Sequence, residues 1–355
     1  MRLLNLQCRN FRGLADTAFE PAPGINVLRG KNAQGKTSVL EAIVYAATAK
    51  SPRTNNEADI VRHGEEDFHV RVEADRADQR LVIEAHWWRG AKRVKVNGVA
   101  QTRLSDVLGR LHVVLFTPED LDLVKGGAGD RRRFLDMTLA PLYPAYLAAL
   151  QQYRQVLRQR NEVLRAVRLD PDLLAVWDTQ LAQHGTDVMR RRHAFAEELA
   201  GAVRTAYQRI AGDEQVAVLY EPDIRAEADY MSTLEKTRAG DFKRKVTSRG
   251  PHRDDLALLV QEHPARSHGS QGQQKSLAIA LKLASMHIIR NHADGWPVLL
   301  LDEVLSELDE DRARRLVDAV PADSQCIMTT TRLTPAGYEP PHTDFVIEAG
   351  VVRRM

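Results

Sequence analysis

An α/β fold built on a parallel sheet and carrying a phosphate-binding loop is what this sequence predicts, and three stretches predict it. The first is Gly30-Lys31-Asn32-Ala33-Gln34-Gly35-Lys36-Thr37, which reads G-x-x-x-x-G-K-[ST], the Walker A pattern. The second is Val298-Leu299-Leu300-Leu301, a short apolar run ending in Asp302-Glu303. The third is Ser270-Gln271-Gly272-Gln273-Gln274-Lys275, standing before an amphipathic helix over 276–291 with Leu277, Ala280, Leu281, Ala284 and Ile288 as its apolar stripe.

The first stretch has the context its chemistry needs. Ile25-Asn26-Val27-Leu28 reads as a buried strand and Ser38 to Tyr45 as the start of a helix. Glycines at 30 and 35 let the backbone curl so that N–H groups point at phosphate oxygens, and the helix N-terminus adds positive potential there. Residues Gly30 to Ser38 are therefore the expected nucleotide contacts, with Lys36 reaching the β- and γ-phosphates of ATP and Thr37 ligating Mg²⁺. A bare Gly-rich turn is the plain alternative, and the flanking strand and helix speak against it. Four apolar residues in a row fit a parallel strand buried on both faces. At its carboxyl end Asp302 would hold Mg²⁺ through water, and Glu303 would take a proton from, or orient, the attacking water. Lys36 and Glu303 are thus the candidate catalytic residues. The plain alternative is a strand running into an acidic helix cap.

S-x-G-Q opening a helix resembles the signature motif of ABC-type ATPases. Ser270, Gly272 and Gln273 would form a second anion cradle, although Ser270 is also an ordinary N-cap that needs no phosphate. The motif precedes Asp302, as the ABC order requires, and Ser306-Glu307-Leu308-Asp309 resembles the D-loop that follows Walker B. In that arrangement the signature serine caps the γ-phosphate held by a second subunit. The resemblance therefore implies an ATP-dependent homodimer that hydrolysis releases.

Composition narrows the partners. The 355 residues carry a net charge of only +2 with 28% charged residues, so any nucleic-acid site must be a local patch. The two cysteines, Cys8 and Cys326, suit a reducing compartment without a disulfide framework. No apolar run is long enough to span a membrane and the first twenty residues do not read as a signal peptide, so a cytoplasmic protein without a membrane partner is expected.

Along the chain, residues 1–125 read as β-rich around one helix. Leu3–Cys8, Leu14–Phe19, Phe68–Glu73 and Leu81–Trp88 are strand-like, and Asn97-Gly98 marks a hairpin. They suit a small antiparallel sheet beside the nucleotide core, with Trp87 and Trp88 on opposite faces. Residues 126–239 read as an inserted α-helical domain: Leu147, Leu150, Tyr153, Leu157 and Leu164 form one stripe, and Leu173, Leu181, Val188, Phe195 and Leu199 a second, separated by Asp170-Pro171. Antiparallel helices of about 25–35 residues, rising about 1.5 Å per residue, reach only some 40–50 Å. Residues 240–355 return to the head begun by 1–125, with Cys326 to Thr331 as a further core strand and a closing hairpin around Glu348-Ala349-Gly350.

Taken together, Asn10-Phe11-Arg12, the phosphate loop, Phe116 to Leu121, Arg131 to Asp136, Gly250-Pro251-His252-Arg253-Asp254-Asp255 and Ser270 to Lys275 resemble the RecF family of bacterial recombination mediator ATPases over essentially the whole chain. SMC-type relatives carry far longer inserts, and the zinc-hook ATPases a Cys-x-x-Cys that is missing here. The resemblance implies ATP-dependent dimerisation on DNA at single-strand/double-strand junctions. It also implies cooperation with RecR and RecO in loading RecA onto strands coated by SSB, a place in replication, DNA damage repair and the SOS response, and no nuclease activity. Two features depart from the ABC pattern. Thr330 or Thr331 stands where many members have a switch histidine, and Thr117-Pro118-Glu119-Asp120, the candidate Q-loop, has no glutamine.

DNA contacts are expected from local basic clusters. Lys92, Arg93 and Lys95 lie on the Asn97-Gly98 hairpin. Arg131, Arg132 and Arg133 follow Asp130, read as an N-cap, and so place cations in a first helical turn against the dipole. Either phosphate or an internal acid such as Asp136 or Glu119 would compensate them. Arg190-Arg191-Arg192-His193 and Lys243-Arg244-Lys245 read as solvated helix faces. A transporter-type subunit would bring its signature much closer to the phosphate loop, and a metabolic kinase has no use for a signature helix.

Overall fold

The structure, a computed structural model, describes residues 1–77, 79–168, 170–330 and 341–355. They form two compact units, one of Met1–Leu121, Thr205–Asp213 and Lys275–Met355, the other of Asp122–Arg204 and Glu214–Gln274.

In the first unit, period-two alternation builds an antiparallel sheet. Its strands are β1 (Arg2–Phe11), β2 (Leu14–Phe19), β4 (Asp67–Arg76), β5 (Gln79–Trp88), β6 (Ala91–Val96) and β7 (Val99–Gln101), in the order β2-β1-β4-β5-β6-β7. On β4 the alternation sends Phe68, Val70, Val72 and Ala74 inward. The second sheet takes β3 (Ile25–Arg29), β8 (Val113–Phe116), β12 (Val298–Asp302), β13 (Cys326–Thr330), β14 (His342–Glu348) and β15 (Val351–Arg354), in the order β15-β14-β3-β13-β12-β8. From β14 to β8 the pairing is parallel, and β15 closes the edge antiparallel. Every residue of β12 is buried, as a parallel core strand requires. Helix α1 (Lys36–Thr48) packs on β1, β4 and β5 and equally on β8, β12 and β13. Lying between the two sheets, it is apolar on nearly every side: Val39, Leu40, Ala42, Ile43, Val44, Tyr45, Ala46 and Ala47 are all buried. Phe11, Tyr45 and Phe68 meet edge to face at 5.3–5.9 Å within this core.

The second unit holds the single-turn α2 (Asp122–Lys125), then α3 (Ala128–Leu142), α4 (Pro144–Arg165), most of α5 (Pro171–Ala211) and α6 (Tyr230–Arg244). Its small antiparallel sheet, in the order β11-β10-β9, comprises β9 (Val216–Glu221), β10 (Asp255–Val260) and β11 (His263–Pro264). Single-turn α7 (Ala265–His268) precedes α8 (Gln271–His292), and α9 (Glu310–Asp318) belongs to the first unit. The helical region differs from expectation in three ways. Pro144 starts a separate helix, its fixed φ suiting the first turn. The second arm, α5, has 41 residues and runs about 60 Å. Its buried stripe begins at Leu174, while Leu173 is 43% exposed. Asp170 caps α5, its carboxylate accepting the N–H groups of Asp172 and Leu173 at 3.1 and 3.0 Å.

The charged segments also find places that periodicity did not give. Asp130 is not the N-cap of α3; Gly127 is, and the Asp130 carboxylate reaches back to the Gly127 N–H at 3.1 Å from the third helical position. Arg192 is not on a solvated face. It is 2% exposed, with its guanidinium on Asp254 and Asp136, both at 2.9 Å, and on the Pro251 carbonyl at 2.7 Å. Arg160, fully buried, holds Asp178, Asp241 and Thr247 at 2.6–2.9 Å. Residues 250–255 are tied in further by Tyr153, whose hydroxyl meets His252 Nδ1 at 2.6 Å.

Candidate nucleotide site

Strand β3 ends at Arg29 and α1 begins at Lys36, so residues 30–35 span the strand–helix gap. Ala33 and Gly35 both take left-handed backbone, at φ 62° and 108°, and this alternation turns successive N–H groups inward. The first turn of α1 contains no acid, so its N-terminal charge is left for an anion. Lys31, Asn32 and Ala33 are exposed at the crest, while Ser38 is buried.

The hairpin β14–β15 backs this loop. Gln34 accepts twice from its turn: the side-chain oxygen from the Ala349 N–H at 2.6 Å, the backbone oxygen from the Gly350 N–H at 3.1 Å. The glycines answer to this neighbour as well as to phosphate. A Cβ on Gly30 would stand 2.6 Å from the Ile347 carbonyl oxygen, and one on Gly35 2.8 Å from Leu14 Cδ2. Gly30→Ala must therefore displace β14 backbone, a strain of about 1–3 kcal/mol. It is expected to lower the unfolding midpoint and, because the loop moves with it, to weaken ATP binding in a fluorescent-nucleotide titration.

Within the loop, Lys36 is 5% exposed. Its Nζ donates to the carbonyls of Gly30 at 2.8 Å and Lys31 at 3.2 Å and pairs with Glu303 Oε1 at 3.1 Å. Thr37 Oγ1 donates to Asp302 Oδ1 at 3.0 Å, joining the first residues of α1 to the end of β12. Thr329 on β13 donates to that same oxygen at 2.8 Å and accepts the Glu303 N–H at 3.0 Å. Burial pushes the Asp302 carboxyl upward, and the Thr329 and Thr37 hydroxyls oppose that by bonding its charged form. A hydroxyl and a carboxylate converging at the helix start are hard oxygen donors of the kind Mg²⁺ takes, so the residues present fit that ion. The phosphate loop, Asp302 and Glu303 are thus assembled within the first unit.

Ser270, Gly272 and Gln273 lie in the second unit. Ser270 Oγ accepts the Gln273 N–H at 3.2 Å and Gln273 Oε1 accepts the Ser270 N–H at 2.8 Å, a capping box that opens α8. Glu214 receives the Gln273 side-chain amide at 3.0 Å. As an acceptor in this box, the Ser270 hydroxyl still has its proton to donate.

The basic candidates separate by face. Lys92 points to the core side of β6, where its Nζ reaches the Ala49 carbonyl at 2.8 Å, pairs with Glu57 and lies 5.6 Å from the Tyr45 ring centre. Arg93 and Lys95 stand exposed on the opposite face, opposite His86 and Glu84. Trp87 stacks on Phe68, and Trp88 is 50% exposed. Arg131 has an internal partner, a two-pronged bond to Asp255 at 2.7 and 2.9 Å rather than to Asp136 or Glu119. Arg132 donates to the Asp254 carbonyl at 2.6 Å, and Arg133 is exposed. Asp120 pairs with Lys282 at 2.7 Å and accepts the Thr117 N–H at 2.8 Å. Of the two threonines considered for the switch position, Thr330 is buried on β13 and Thr331 lies outside the described residues.

Sequence reasoning missed Thr329 and Glu41. Thr329 is identifiable only once β13 is set in register with β12, which pairs it with Asp302. Glu41, 1% exposed, accepts from Arg12 at 2.7–3.3 Å and from Ser51 at 2.6 Å, and so explains the arginine of Asn10-Phe11-Arg12.

The model of the RecF/RecN/SMC N-terminal domain matches residues 2–335. The DNA replication and repair protein RecF of Lachnoclostridium phytofermentans is 37% identical, over 94% of this chain and 93% of its own length. The chain belongs to the RecF family. RecF of Listeria monocytogenes is 36% identical with both chains fully covered. A solved structure of the recombination mediator protein RecF with ATP, in the RecFOR pathway, superimposes with a TM-score of 0.92 at 30% identity, covering 100% of this chain and 97% of that one. An SMC head bound to the C-winged helix domain of ScpA, 15% identical at a TM-score of 0.59, shares the fold. This member of the RecF family is accordingly an α/β protein with an SMC/ABC-type ATPase head and an antiparallel sheet, as its motifs predicted. Among its described residues no helix is long and apolar enough to cross a membrane.

Proposed function

We propose that the chain is a DNA-repair ATPase that binds ATP with Mg²⁺, dimerises around it on gapped DNA and lets go on hydrolysis. The observation that carries this reading is the meeting of Lys36, Thr37, Asp302 and Glu303 at one helix N-terminus. When nucleotide enters, Lys36 exchanges Glu303 and the loop carbonyls for phosphate oxygens, while the loop N–H groups supply the rest of the cradle. Thr37 and Asp302 would hold Mg²⁺, which neutralises charge on the leaving phosphate. Glu303, released from Lys36, orients the attacking water or takes its proton.

Ser270, Gly272 and Gln273 complete the site in trans in this reading, offering the Ser270 hydroxyl and the α8 N-terminus to a γ-phosphate on a second copy. Arg93 and Lys95, together with Arg133, are the proposed DNA-facing charges, and their contacts would be salt-dependent and independent of sequence. The relatives' names place RecF in DNA replication and repair. By that kinship the chain would act with RecR and RecO and serve RecA on SSB-coated strands, in the cytoplasm.

The test is size exclusion and DNA binding on single-strand, duplex and gapped substrates, each with and without ATP. A monomer-to-dimer shift with ATP, and DNA-stimulated hydrolysis, are expected. Ser270→Arg should keep ATP affinity within about twofold, since it leaves the phosphate loop intact, and abolish the dimer. If that variant dimerises normally, the trans role of Ser270 is wrong.

A further inference from the structure

We propose that Thr329 is a positioning residue that fixes the metal-side carboxylate and the proton-handling carboxylate relative to each other. The inference rests on the ATPase reading above and adds a residue to it. Thr329 is 1% exposed, on β13, in parallel register with Asp302. Its hydroxyl is used in both directions. The proton goes to Asp302 Oδ1 at 2.8 Å, and a lone pair takes the Glu303 N–H at 3.0 Å. A hydroxyl with one donor and one acceptor bond already made has no rotational freedom left, so the two acids are held as a pair.

The backbone shows what is being held. Glu303 sits at φ 53°, a left-handed conformation that a non-glycine residue adopts only when its surroundings impose it. The bond from its own N–H to Thr329 is one such constraint, made at the residue that turns the chain out of β12. Asp302 Oδ1 accepts from both Thr37 and Thr329, so the carboxylate is clamped from α1 and from β13 at one oxygen. Its other oxygen thereby acquires a fixed direction. A valine has nearly the shape of threonine and neither bond, which makes the contribution of the hydroxyl separable from that of packing.

The experiment compares Thr329→Val, Thr329→Ala and Thr329→Ser with the parent chain. A fluorescent ATP analogue is titrated in Mg²⁺ and in EDTA, turnover is measured over a range of Mg²⁺, and thermal unfolding is recorded. Thr329→Val should lose about tenfold of the affinity that Mg²⁺ adds, and about tenfold or more in kcat, with binding in EDTA unchanged. Thr329→Ala, which cannot crowd the strand, carries the same expectation. Thr329→Ser keeps both bonds and should recover both quantities to within about threefold. The proposal is overturned if the Val and Ala variants keep the parent's Mg²⁺ dependence and turnover. It is equally overturned if the Ser variant fails as they do, with a lowered unfolding midpoint, because the role is then packing alone. Failure of the parent chain itself to hydrolyse ATP would instead remove the ATPase reading, and this one with it.

Discussion

Glu303→Gln is expected to lower ATP hydrolysis by about 10²-fold or more while ATP stays bound, and bound more tightly than by the parent chain. The first half follows from the loss of a carboxylate that can take a proton, an effect typically of about 10²–10⁴-fold. The second follows from the resting structure. Glu303 Oε1 lies 3.1 Å from Lys36 Nζ, and Lys36 is 5% exposed. A nucleotide that recruits Lys36 must break that ion pair, and a neutral amide at 303 makes the break easier. Single-turnover hydrolysis and a fluorescent-nucleotide titration on the same preparation read both effects. If hydrolysis falls by less than about threefold, Glu303 is not the proton-handling group. If affinity falls instead of rising, the Lys36–Glu303 pair supports the loop rather than competing with phosphate.

Arg192→Ala should be among the most destabilising single changes in the second unit. Removing the cation leaves Asp254, fully buried, without the guanidinium that held it at 2.9 Å, while Asp136 keeps Arg154 at 2.7 Å. Breaking a buried pair in this way costs about 3–5 kcal/mol, which lowers an unfolding midpoint by on the order of 10 °C. Arg190, two positions earlier, is the control. It is exposed and pairs with Glu227 and Asp187 at the surface, so Arg190→Ala should leave the midpoint where it was. Differential scanning calorimetry on the two variants decides the matter. Equal midpoints would mean that water enters around Asp254 once Arg192 is gone.

Much of the fold was legible because its signals are local. The phosphate loop, the four-residue apolar run of β12 and the Asn97-Gly98 hairpin each declare themselves within a dozen residues. The N-cap at Ser270 is legible in the same way, whereas the returning bond from Gln273 emerges only in the structure. What could not be read depends on distant partners. Strands β9 and β10 are six residues each and, among the described residues, form a sheet with just the short β11 beside β10, so nothing nearby marks them as a sheet. Helix α6 is mostly polar, with Tyr230, Leu234 and Asp241 as its buried residues, and gives little periodicity. Arg131 and Arg192 looked alike in sequence to the exposed Arg133 and Arg191, and what separates them is distant in the chain: Asp255 for Arg131, Asp254 and Asp136 for Arg192. Thr329 stands unremarked in a run of three threonines until register places it beside Asp302.

Strand β3 carries a consequence for how the protein is made. Its neighbours in the sheet are β13 and β14, and the Asn26 side chain bonds the Cys326 carbonyl, 300 positions later. Ribosomes add about 5–20 residues per second, so that strand emerges on the order of 15–60 s before either flanking partner exists. Throughout that interval an apolar strand with two open edges must be kept from pairing with the wrong chain, which makes the nascent N-terminal segment the stretch of this polypeptide most in need of a holding chaperone.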